Sequence, residues 1–107
     1  MGLKDMKCAP GGQARALSEA EILFHLGTLP GWQREGKEIR KTFPFKNYYE
    51  TMAFVNATAW ISHAEDHHPD MGVHYNRCVV AFSTHDAGGI TLNDLICAAK
   101  VEALLSS

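Results

Sequence analysis

Little in this sequence points to a cross-linked scaffold. Its three cysteines, Cys8, Cys78 and Cys97, are odd in number and show no C-x-x-C spacing, so neither a disulfide framework nor a zinc ribbon is indicated. Each reads as a small apolar residue, with Cys8 a thiol in the N-terminal segment. Charge of one sign is equally scarce. Ten Lys and Arg against twelve Asp and Glu leave a formal net charge of −2, without the basic face that phosphate neutralisation by a nucleic-acid partner requires. Apolar runs extend only a few residues, too short to span a bilayer. Met1 to Pro10 alternates polar and apolar residues where a secretion signal would carry an apolar core. The expectation is a soluble, cytoplasmic protein with no nucleic-acid or membrane partner. At 107 residues and 46% hydrophobic, the chain suits one small globular domain.

Residues 1–17 contain Pro10, Gly11 and Gly12 and lack apolar periodicity, which predicts a flexible tail ahead of a domain over residues 18–107. Ser18-Glu-Ala-Glu21 has the form of a capping box, opening a helix that Leu29-Pro30-Gly31 stops. Trp32 to Lys46 reads as a hairpin turning at Gly36-Lys37, with Ile39, Lys41 and Phe43 on one face. Asn47 caps a second helix reaching Asp66. Its apolar residues cover more than one stripe, so it should be largely buried or half-covered by another subunit. Val73 to Ser83 reads as one or two strands. Thr91-Leu-Asn-Asp94 is a further capping box, opening the last helix. The order α-β-β-α-β-β-α predicts an α+β fold, a four-stranded antiparallel sheet with its helices on one face.

Histidine is what the sequence has in excess. Of the six, all but His25 lie between His63 and His85. His67-His68-Pro69 ends the second helix, where carbonyls lack partners and the dipole favours a protonated ring. His85 follows a strand, ahead of Gly88-Gly89, a common place for a functional side chain. Should these two ends converge, three imidazoles would share one pocket and could move protons near neutral pH. His25 and His74 read as ordinary surface or core residues. A metal alternative rests on His63 and His67, spaced i, i+4, but the glutamate of an H-E-x-x-H motif is missing. For Asp94, helix capping alone is a sufficient explanation.

The pattern His63-x3-His67-His68-Pro69-x5-Tyr75-x9-His85-x8-Asp94 resembles the signature of the pterin-4a-carbinolamine dehydratases, also called dimerisation cofactors of a hepatic transcription factor. Phe43-x-Phe45, His74-Tyr75-Asn76 and Ser83-Thr84-His85-Asp86-Ala87-Gly88-Gly89 are similar to the family as well. Two positions depart from it: His63 stands where many relatives are acidic, and Met71 where the animal members have Trp.

The resemblance implies dehydration of 4a-hydroxytetrahydropterin to quinonoid dihydropterin, recycling the cofactor of aromatic amino-acid hydroxylases, with no metal or cofactor of its own. It implies His67, His68 and His85 as the catalytic histidines, His67 and His85 moving protons and His68 anchoring the substrate. Asp66 and the Ser83-Thr84 backbone match pterin-contacting positions, and Asp94 matches the signature aspartate, expected to orient His85 while also capping its helix. It further implies a homodimer or homotetramer and a link to a hydroxylase. The alternative is a non-catalytic dimerisation or coactivator module working through helix 47–66.

Overall fold

Each α-helix opens on a hydrogen bond between a side-chain oxygen and a backbone N–H at its start. The structure, a computed structural model, describes residues 2–10 and 12–105. In α1 (Glu19–Leu26) the Ser18 hydroxyl accepts from the Glu21 N–H at 3.2 Å, and the Glu21 carboxylate accepts from the Ser18 N–H at 2.9 Å. In α2 (Tyr48–Glu65) the Asn47 side-chain oxygen accepts from the Glu50 N–H at 3.0 Å. In α3 (Leu92–Ala103) the Asp94 carboxylate accepts from the Thr91 N–H at 2.9 Å. Such caps each contribute on the order of 1 kcal/mol and fix where the helix begins.

The four strands are β1 (Gln33–Glu35), β2 (Glu38–Pro44), β3 (Asp70–Val73) and β4 (Arg77–Phe82). They form one antiparallel sheet in the order β1-β2-β4-β3. Gly36, at φ +61°, makes the β1–β2 turn in the left-handed region that favours glycine. Register puts core against core, pairing Ile39 with Phe82 and Phe43 with Cys78. These residues, with Val80, are buried together with Ile22 of α1, Phe54 of α2 and Leu95, Ala98 and Val101 of α3. All three helices therefore cover this one face. On the other face Thr42 is exposed, and Val79 and Ala81 are only half-buried. The α+β architecture and its order agree with the sequence reading, although β3 starts at Asp70, ahead of the expected Val73.

Helix α2 is not largely buried within the chain. Its buried stripe is Thr51, Phe54 and Thr58, while Tyr49 and Trp60 are 80% and 72% exposed. Its apolar excess lies outward.

The segment before Ser18, expected as a tail, runs along α3. A 3₁₀ turn at Leu3–Asp5 packs there, and Leu3, Cys8 and Leu17 touch the core. The Cys8 N–H donates to Glu65 at 2.8 Å. Ala9 and the Asn93 side chain exchange two hydrogen bonds, of 2.9 and 3.0 Å.

Candidate active site

The end of α2 is shaped by one unusual residue. Asp66 caps the helix at φ 53°, ψ 42°, the left-handed conformation, which Asp tolerates better than most side chains. The reversal ends the helix at once, and the next N–H, that of His67, still reaches back to the Ser62 carbonyl at 3.2 Å. His67 is consequently directed inward, 13% exposed, its ring lying over Phe82 at 6.0 Å between centroids. His68, next in the chain, is exposed, and its Nδ1–H donates to the Pro69 carbonyl at 3.2 Å.

Asp94, fully buried, meets His67 from the start of α3. Its Oδ1 accepts from His67 Nε2–H at 2.6 Å. Its Oδ2 accepts from the Thr84 hydroxyl at 2.8 Å and from the Thr91 N–H at 2.9 Å. The Thr84 and Thr91 hydroxyls stand 2.8 Å apart, so Thr91 can donate to Thr84 while Thr84 donates to the carboxylate. A buried charge that accepts three hydrogen bonds, at least one on each oxygen, is tolerated, whereas one lacking partners costs several kcal/mol. Because an ionised carboxylate only accepts, the contact fixes the neutral His67 tautomer, leaving Nδ1 to exchange a proton.

This arrangement corrects one expectation. Asp94 orients His67, not His85. The Thr84 hydroxyl is turned toward the carboxylate beneath the site, separate from the backbone contact expected at this residue.

His85 belongs to a 3₁₀ turn, His85–Ala87, that follows β4. Gly88 closes the turn at φ +74°, and mutual hydrogen bonds between Thr84 and Gly89 pinch its base. The His85 ring is exposed and makes no hydrogen bond among the described residues.

The two ends do converge. His67, His68 and His85 line one cavity of about 350 Å³ together with Asp66, Ser83 and Thr84. That volume falls in the range of small-molecule clefts. Asp70, Ala81 and Asp86 complete this wall, and Gly12 and Ala14 close it from the N-terminal segment. Sequence reasoning missed Thr91 and Ala14. The capping box already placed the Thr91 N–H on Asp94, but nothing local signalled Ala14.

His63 and His67 diverge despite their helical spacing. The His63 ring stacks on Trp60 at 5.4 Å, exposed. Among the described residues no group of three His, Cys, Asp or Glu side chains is arranged to hold a metal ion. No helix among them is long and apolar enough to cross a membrane.

Residues 15–104 match the family described as pterin 4 alpha carbinolamine dehydratase. A Chromobacterium violaceum protein provisionally named pterin-4-alpha-carbinolamine dehydratase is 61% identical, over 97% of this chain and 96% of its own. A Stenotrophomonas maltophilia protein with the same provisional name is 56% identical, over 95% and 90%. Among solved structures, a Brucella melitensis protein described as a transcriptional coactivator/pterin dehydratase superposes with a TM-score of 0.81. It is 33% identical, over 84% of this chain and 98% of its own.

Proposed function

Because the chain belongs to the pterin-4a-carbinolamine dehydratase family, we propose that it dehydrates 4a-hydroxytetrahydropterins in the histidine-lined cavity. The reaction breaks the C4a–OH bond and the N5–H bond and forms the C4a=N5 double bond of quinonoid dihydropterin, releasing one water. The leaving hydroxyl needs a proton and N5 must lose one, so the task is general acid–base catalysis, which typically contributes about 10²–10⁴-fold.

The observation that carries this reading is three imidazoles on one cavity, one of them backed by a buried carboxylate. His67 is the base toward N5. Asp94 holds its Nε2–H, leaves Nδ1 as its free atom, and stabilises the imidazolium that forms. His85, with both ring nitrogens uncommitted among the described residues, is the acid toward the hydroxyl. His68 has Nδ1 tied to Pro69 and offers Nε2 as an anchor for the pterin ring. Asp66 and Ser83 bind the pterin edge from the cavity wall. The product would return to an aromatic amino-acid hydroxylase after reduction.

The alanine variants of His67, His68 and His85 test the assignment against a 4a-hydroxytetrahydropterin. Lower turnover at His67 and His85, a raised KM at His68 and native circular dichroism in all three are expected. Unfolding in all three would make the histidines structural and sink the assignment.

A second reading, a dimerisation or coactivator module, is favoured by the exposed Tyr49 and Trp60 on α2. This outer face also suits association into a homodimer or homotetramer. Light scattering on Trp60→Asp tests it, with loss of the oligomer as the expected result. A binding role independent of chemistry would survive His85→Ala.

A further inference from the structure

Outside the histidine cavity, two of the three thiols are in contact. Cys8 Sγ lies 3.5 Å from Cys97 Sγ, although the residues are 89 apart in sequence. Cys97 is completely buried in α3, one turn beyond Asn93, and Cys8 is half-buried in the N-terminal segment. The backbone around Cys8 is already held in place. Its own N–H donates to Glu65, and Ala9 exchanges two hydrogen bonds with Asn93. Two sulfurs brought together by independent anchors need to close only to about 2.05 Å to bond.

We propose that Cys8 and Cys97 are an oxidisable pair, closing to an intrachain disulfide under a peroxide oxidant and fastening the N-terminal segment to α3. In the first step the Cys8 sulfur attacks one peroxide oxygen. The O–O bond breaks, Cys8 becomes a sulfenic acid and one water leaves. In the second, the Cys97 sulfur attacks the Cys8 sulfur, the S–O bond breaks and the departing oxygen leaves as a second water with the Cys97 proton. Two thiols and one hydrogen peroxide thus give one disulfide and two waters.

The order follows from access. Contact with Cys8, burial, and the neighbouring Glu65 and Asp94 carboxylates push the Cys97 thiol up, so Cys97 is the resolving partner and Cys8 the entry point. Cys78 is buried on β4 and is the internal control. The fastened segment is the one that contributes Gly12 and Ala14 to the histidine cavity, so oxidation makes that wall covalent with the core. Thiol chemistry here is independent of any turnover in the cavity.

The test treats the full chain with hydrogen peroxide, alkylates the remaining thiols and maps peptides without reduction. A Cys8–Cys97 linked peptide is expected, two hydrogen atoms lighter than its parts, reversed by dithiothreitol, with Cys78 alkylated. Cys8→Ser, a conservative change at a half-buried site, should abolish the link entirely. Three alkylated thiols after oxidation, Cys8 over-oxidised beside a free Cys97, a bridge between two chains, or a Cys97 link that persists in Cys8→Ser would each overturn the proposal.

Discussion

Asp94 and His67 stand 2.6 Å apart, joining the first turn of α3 to the residue just past the cap of α2. The same carboxylate caps its own helix through the Thr91 N–H. One buried group thus starts a helix and fixes the tautomer of a histidine whose own sequence position is 27 residues away.

Replacing Asp94 with Asn keeps the size and an acceptor for the cap but removes the charge behind the ring. The amide can present an N–H to His67 and select the wrong tautomer. The expected loss is about 10²-fold or more in kcat for the dehydration, with the fold intact. Steady-state kinetics beside a thermal melt checks this. Unchanged kcat in a folded variant would remove Asp94 from the chemistry.

Thr84 acts through Asp94. Thr84→Val takes away one of the two donors to Oδ2, and a hydrogen bond to a charged group is worth roughly 1.5–3 kcal/mol. Turnover should fall by about tenfold or more with little change in KM, and Thr84→Ser should recover most of it. A raised KM with kcat unchanged would instead make Thr84 a substrate contact.

Glu65 ties the N-terminal segment to α2, and its contribution should depend on pH. Burial alone would raise its carboxyl, but the Cys8 N–H, the Lys7 ammonium and the nearby Lys100 outweigh that and hold it below the usual carboxylate range. A carboxylate lowered on folding stabilises at pH above its unfolded value, about 4.3. That contribution is lost as pH falls through the lower folded value. Wild type should therefore melt above Glu65→Gln at pH 7, and the two should converge under acid conditions. A gap in Tm that persists through that acid range would contradict the account.

Much of the scaffold was legible because it is local. Ser18 with Glu21, Asn47, and Thr91 with Asp94 are caps written within four residues, and Gly36 marks a turn that its φ requires. The start of β3 was not legible. Asp70, Met71 and Gly72 carry no alternating pattern and become a strand by pairing with Ala81, Val80 and Val79. The gathering of His67, His68 and His85 could be framed from the ends of α2 and β4, but their meeting depends on the sheet order. Asp94 was placed with the wrong histidine for the same reason, since spacing along the chain does not report which ring lies across the core. The anchors of the N-terminal segment are Glu65 and Asn93, 57 and 84 residues beyond their partners. Local periodicity contains no trace of them.

The most direct measurement is the decay of freshly generated 4a-hydroxytetrahydropterin followed by stopped flow, with wild type beside His85→Ala. The account predicts decay faster than the spontaneous rate with wild type and most of that acceleration lost in the variant. Decay at the spontaneous rate with both proteins, each folded, would contradict it.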